Sequence, residues 1–418
     1  MVNRQIQAPT RQEAVEYIPW APHLFFLGAI AAGVLGIIGG LALTLFSQRG
    51  HLGPYEYHVW RWEASNVLGS AFSLISIGDE REGESAEKAL LAYFSLTSAI
   101  RNAEDTAEAD LPLIEALTNE RYIHENDVER IIESRLSEAV SVAGLERGLP
   151  FFNGVTMVWP PVDIELTSPP RVLVRSPRNE ILRKGDTLLR DDITLAEVED
   201  IEARVDDEET ISLIIAIGGV AVYPALVRDD RSYDGLLSTA AHEWVHHYLA
   251  FYPLGEQWGK GGDAETLNET TADIAGDAIA AMVRAAHPVE FPPGEDGRKS
   301  GGPDSTIDFN SEMRALRLKV DELLAAGRIE EAEQLMEETR LRLAENGIVI
   351  RKINQAYFAF YGTYAENPAS SNPVGPMIRQ VWERSGDVGT FLRIMREVTS
   401  RPDLESVLLS MGGTVPTE

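Results

Sequence analysis

The sequence contains no cysteine, so its 418 residues offer neither disulfides nor thiolate metal ligands; the absence leaves the compartment open. Positive charge is scarce as well. Against 66 Asp and Glu stand 37 Lys and Arg, a formal net charge of −29. Phosphate contacts need clustered Lys and Arg, so nucleic acid is excluded as a partner. The acidity itself means a solvated surface and carries no inference about substrate. Histidine is rare, 8 in all, which makes a regular spacing of histidines informative. Between residues 51 and 150 there is neither a glycine-rich phosphate loop nor a metal-ligand spacing.

What is present centres on Ala240-Ala241-His242-Glu243-Trp244-Val245-His246-His247, an H-E-x-x-H motif inside a helical pattern. Positions four apart on a helix lie one above the other, so His242 and His246 share a face while Glu243 points about 100° away. Two imidazoles suit a zinc ion, and a carboxylate one residue along can take the proton of an attacking water. Accidental matches to this pattern in a chain of this composition should number roughly 0.02. Downstream, Thr266 to Asp277 forms a second helical pattern with Glu269 and Asp273 four apart. The 23 residues from His246 to Glu269 allow a turn and an antiparallel return helix. A catalytic zinc needs three protein ligands and an open position. Glu269 begins the turn and has the longer side chain, so it is expected to cross to the metal. Asp273 is expected to accept the free N–H of a ligand histidine.

H-E-x-x-H followed by N-E-x-x-A-D resembles the gluzincin branch of zinc metallopeptidases, over His242 to Asp277. The resemblance implies His242, His246 and Glu269 as zinc ligands, Glu243 as general base, and Asp273 behind the ligands. Gluzincins add a histidine or tyrosine that steadies the oxyanion. The only histidine after Glu269 is His287, beside Pro288, so a tyrosine from 357, 361 or 364 is expected instead. The same aromatic stretch, Ile353 to Tyr364, also has the composition of packed core. Asn354-Gln355 beside these aromatics is similar to the C-terminal part of a bacterial family of predicted membrane-associated aminopeptidases. The glycine-x-methionine-glutamate-asparagine motif, whose glutamate would bind a substrate α-amine, is absent, which leaves endo- and exopeptidase action both open.

In chain order, residues 1–23 are a polar tail, and Leu24 to Phe46 is an apolar run of 23 residues, long enough to cross a hydrocarbon layer of about 30 Å. It exceeds a signal-peptide core and lacks a cleavage site, so an uncleaved single-pass anchor is expected. Arg4 and Arg11 before the span balance Arg49 and Arg61 after it. A short tail before one anchor most simply leaves the catalytic domain extracytoplasmic. Ala32, Gly36 and Gly40 form a small-residue stripe suited to a homodimer or a partner helix.

Residues 47–150 read as a helical spacer or docking region, with stripes such as Ala86, Leu90, Tyr93, Phe94 and Val128, Ile131, Ile132, Leu136. Residues 151–290 read as the zincin-like core. Strands are expected at 155–159 and 171–175, and Thr194 with Glu197 forms a capping box. The runs 212–217 and 220–227 around Gly218-Gly219 predict a hairpin, with Pro224 putting the second strand at a sheet edge where an extended peptide could add. A linker at 291–308 leads to a C-terminal helical subdomain, 309–418, that completes the site and opens with an αα-hairpin. The expected architecture is therefore helix-rich α+β: a small sheet with an edge strand, the H-E-x-x-H helix and the glutamate helix. The expected function is a membrane-anchored zinc-dependent peptidase acting on peptides or proteins. The alternative is an inactive zincin-like scaffold or interaction protein whose structural metal site is closed by His247 or Asp277.

Overall fold

The computed structural model describes residues 52–59, 84–104, 110–148, 156–260, 263–296, 307–364 and 367–416. The tail at 1–23, the apolar run at 24–46 with its small-residue stripe, and residues 297–306 of the expected linker lie outside the described residues. Among the described residues, no helix is long and apolar enough to cross a membrane.

Residues 54–418 group as one unit of helix-rich α+β architecture. Helix α1 (Glu84–Glu104) and helix α2 (Leu111–Val142) come first. Strands β1 (Glu146–Gly148), β2 (Thr156–Val158), β3 (Ile164–Thr167), β4 (Arg171–Pro177) and β5 (Asp186–Leu189) follow. Helix α3 (Leu195–Val205) starts on the Thr194 capping box, with Thr194 and Glu197 bonding each other's backbone as the sequence predicts. Then come β6 (Thr210–Ala216), β7 (Gly219–Val220) and β8 (Ala225–Arg228). Helix α4 (Tyr233–Leu249) is started by Ser232, whose hydroxyl accepts from Gly235 N. Helix α5 is Asp263–Ala286.

The expected αα-hairpin is α6 (Phe309–Ala325) and α7 (Ile329–Glu345), broken at Gly327, which takes the left-handed φ of +72°. Helix α8 (Gln355–Tyr361) and helices α9 (Val374–Ser385), α10 (Val388–Met395) and α11 (Arg401–Ser410) end the chain.

Among the described residues the strands form three small sheets, β1-β2, β5-β4-β6 and β3-β8-β7. This corrects the predicted hairpin. Strand β6 pairs antiparallel with β4, whereas β8 pairs parallel with β3 and antiparallel with the two-residue β7. Gly218 and Gly219 therefore carry the chain from one sheet to another. Pro224 stands just before β8, so its missing N–H costs the ladder nothing, and β8 is central. The edge is β7.

The principal core joins α1 and α2 to α4, α5 and the last three helices, through side chains such as Phe94, Ile132, Trp244, Ile279, Ile378 and Phe391. Each such burial contributes roughly 1.5–3 kcal/mol. The helical region before residue 150 thus packs directly on the motif helices. Trp244 also donates its indole N–H to Pro160 O at 2.8 Å, tying α4 to the strands. A second core fills the α6-α7 hairpin against Phe358, and a third packs Ala356 and Phe360 on β4 and β6.

The outer edge of β3 is closed by a helix. Glu133 and Glu129 of α2 accept the backbone N–H groups of Ile164 and Leu166 at 2.8 and 2.7 Å. The registry works because four helical residues rise about 6 Å and two strand residues about 6.6 Å. Burial pushes both carboxyl groups up to about 8, with Glu165 and Asp163 among the like charges adding to it. Burial, aided by Asp229 and opposed by Arg121, takes Glu125 up to about 7. These pKa values are raised above the ordinary 4.5, so the folded state holds more protons than the unfolded chain between about pH 4.5 and 8. The stabilisation is complete below that window and lost as pH rises through it. Melting of the full-length chain should fall by a few degrees from pH 6 to pH 9. Glu129→Gln keeps a carbonyl acceptor for Leu166 and should flatten the slope; identical slopes in both proteins would refute the assignment.

Candidate metal centre

Helices α4 and α5 approach closely at Gly276, where a methyl group would stand 2.9 Å from His242 N and 3.0 Å from its Cα. A side chain there forces the helices apart. Both helices bury small residues, Ala240 and Ala241 on α4 and Ala272 and Ala275 on α5. This close packing brings Glu269 and Asp273 within reach of the histidines.

His242 Nε2 and His246 Nε2 lie 2.9 Å apart, and Glu269 Oε2 is 3.4 Å from the first and 3.6 Å from the second. Each ring is held from behind. His242 Nδ1 is 2.9 Å from Asp273 Oδ1, and His246 Nδ1 is 2.9 Å from Asn268 Oδ1. Both outer partners are acceptors, because Asn268 uses its own amide N–H on Leu254 O at 3.3 Å. Each Nδ1 therefore donates, which leaves both Nε2 atoms of the neutral rings as lone pairs aimed at one point. Glu269 Oε2 is buried there without a hydrogen-bond partner.

Three converging lone-pair donors repel one another unless a cation sits between them. Their separations bracket the roughly 3.3 Å edge expected for a tetrahedron of bonds of about 2.05 Å. The residues present fit a bound metal ion, and these three form a group of ligating type among the described residues.

The electrostatics agree. Burial opposes ionisation of Glu269, yet the neighbouring His246 and His242 hold its carboxyl far below the usual range. Burial likewise works against a charged His242, but the hydrogen bond to Asp273 and the nearby carboxylates of Glu269 and Glu243 raise its pKa well above the ordinary value, so the pocket favours a positive charge at this point. Glu243 is buried, and burial pushes its pKa up against the pull of both imidazoles. A methyl on Gly219 would fall 2.5 Å from Glu243 Oε1 and 2.8 Å from Leu226 O, so only glycine lets edge strand β7 lie this close to the carboxylate.

The sequence calls for one tyrosine from 357, 361 or 364, and Tyr364 has its ring beside that of His242. The Tyr364 ring lies 6.3 Å, centroid to centroid, from that of His242. Burial, with the charges of Glu269, Asp273 and Glu243, raises its hydroxyl pKa well above the ordinary value. Tyr357 and Tyr361 pack on each other with ring centroids 4.5 Å apart and planes tilted by 45°, and both join the second and third cores. The helical period that fixes Glu269 cannot choose among residues 357, 361 and 364, since α8 ends at Tyr361 and Tyr364 lies on the turn beyond it. His287 is 2.7 Å from Glu138, on α2. His247 bonds Val222 O at 2.9 Å, with burial lowering its pKa to about 4, and Asp277 is exposed.

Sequence reasoning missed Asn268, although it directly precedes Glu269 in the quoted N-E-x-x-A-D pattern. It also gave no role to Trp258, whose exposed ring meets that of His246 edge-on at 5.0 Å. Comparison with protein-family models, with curated proteins and with solved structures yields no match for this chain.

Proposed function

We propose that the protein is a zinc-dependent peptidase, anchored in a membrane by residues 24–46 with its catalytic unit on the extracytoplasmic side, acting on peptide or protein substrates. The observation that carries this reading is the convergence of His242 Nε2, His246 Nε2 and the orphaned Glu269 Oε2 beside a buried glutamate that touches a sheet edge. Two imidazoles and one carboxylate are a donor set of catalytic zinc sites. An edge strand, a motif helix and a glutamate helix side by side are the elements that the gluzincin resemblance calls for. His247 is committed to the backbone and Asp277 faces solvent, which speaks for an open fourth position over a closed structural site.

Zinc held by these three residues supplies Lewis acidity and a water of lowered pKa. Glu243 takes the proton of the attacking water and passes it to the leaving amine, a task suited to a carboxyl whose pKa burial has raised. Strand β7 offers its backbone to an extended substrate by strand addition. Tyr364, kept neutral by burial and neighbouring carboxylates, donates its hydroxyl to the developing oxyanion.

The full-length chain, purified in detergent, should carry close to one zinc and hydrolyse a peptide library in a chelator-sensitive way. His242→Ala and His246→Ala should each abolish zinc binding. Unchanged metal content in both would overturn the site. Tyr364→Phe should keep zinc and lower kcat about a hundredfold, whereas Tyr361→Phe should leave both zinc content and kcat unchanged.

A further inference from the structure

Arg231 stands between β8 and α4, half-buried, with its stem against Gly235. Its Nε is buried without a hydrogen-bond partner, and among the described residues no carboxylate forms an ion pair with its guanidinium. The adjacent Asp230 is already engaged, gripped by Arg228 through Nε at 2.7 Å and through a second, shorter bond. In a chain with 66 acidic residues against 37 basic ones, an arginine left unpaired in a half-buried place is unexpected on structural grounds alone. Arginine is chosen where a planar carboxylate is to be held by a two-pronged contact.

Its position ties it to the candidate site. A methyl on Gly218 would fall 2.7 Å from Arg231 Nη2 and 3.8 Å from Thr239 Cγ2. The next residue, Gly219, opens β7 and makes the corresponding approach to Glu243 Oε1. Thr239 is one helical turn before Glu243 on α4. The free guanidinium and the general base thus lie against consecutive residues of the same edge run. Burial and the charges of Arg228 and Arg101 disfavour this cation, with Asp230 and Tyr361 offsetting them only in part, and an arriving anion would relieve both.

Resting on the peptidase reading, we infer that Arg231 is a specificity-determining residue that binds a carboxylate of the substrate, within a few residues of the bond cleaved. The carboxylate is either a terminal one or that of an Asp or Glu side chain. Arg231 takes no part in the bond-breaking step; it positions the extended chain in register along β7.

The test uses the zinc-loaded full-length chain in detergent. Synthetic decapeptides are digested and the cleaved ones identified by mass spectrometry. Each cleaved peptide is then remade with Asp or Glu as Asn or Gln, and separately with an amidated C-terminus. One of the two changes should lower kcat/KM at least 30-fold, chiefly through KM, and which one does so tells the side chain from the terminus. Arg231→Gln should lower kcat/KM for the charged peptide by a similar factor and leave the neutral one within threefold; Arg231→Lys should recover part of the loss. Zinc content and melting temperature matching wild type certify the fold of both variants. Equal losses on charged and neutral peptides, or no loss on either, overturn the proposal. If the wild-type chain binds zinc but cleaves nothing, the peptidase reading fails. Arg231 is then judged by the affinity of fluorescent charged and neutral peptide pairs for wild type and Arg231→Gln: charge preference lost in the variant upholds the anion site, and no preference in wild type overturns it.

Discussion

Glu243→Gln is expected to leave zinc content at the wild-type level and to lower kcat on any cleaved peptide by at least about a thousandfold, within the range assigned to a general acid–base group. The substitution keeps the size of a buried side chain packed against Gly219, so the fold and the three ligands should persist. What is lost is proton transfer, because an amide cannot accept the proton of the attacking water. The reading fails if activity survives within tenfold. It also fails if zinc leaves together with activity, since Glu243 would then act on the metal and not on the water.

The second large effect separates the two acidic residues of α5. Glu269 Oε2 faces both Nε2 atoms, whereas Asp273 lies on the far side of the His242 ring, bonded to Nδ1. Removing a ligand should abolish tight binding, so a zinc titration of Glu269→Ala should show affinity reduced by several orders of magnitude. Asp273→Ala and Asn268→Ala each free one imidazole to rotate and to change tautomer, and should cost 10–100-fold. The two orienting changes should also be close to multiplicative when combined, because they act on different rings. Complete metal loss in Asp273→Ala with near-native affinity in Glu269→Ala would invert the assignment of ligand and support.

The ligand group was legible in the sequence because helical geometry is a local rule. His242 and His246 share a face whatever surrounds them, and the N-E-x-x-A-D pattern sets Glu269 and Asp273 on a second face that only needs to be brought near. The αα-hairpin at 309–345 and the Thr194 cap were readable for the same reason. Strand partnership is not local. The run at 212–217 and the one at 225–228 look alike as apolar segments, yet one joins β4 and the other crosses back to β3, nearly 60 residues earlier. Nothing in their period distinguishes those partners. Asn268 escaped notice because its role depends on the rotation of α5 against α4, which Gly276 sets through a contact with the His242 backbone. The tyrosines were ambiguous because a residue just beyond a helix end follows no period.

The carboxylates of α2 that close β3 have a further consequence, one of order in time. Residues 111–142 leave the ribosome before residues 164–167, so the guard exists before the edge it guards. The other side of β3 waits for β8, about 60 residues later. A nascent sheet with two open flanks would invite pairing with a neighbouring chain. Here one flank can be closed as soon as β3 emerges. Once β8 and β7 have joined, the flank still open is the one lying against Glu243, so the place where this sheet can accept a foreign strand coincides with the place where the protein buries that carboxyl group.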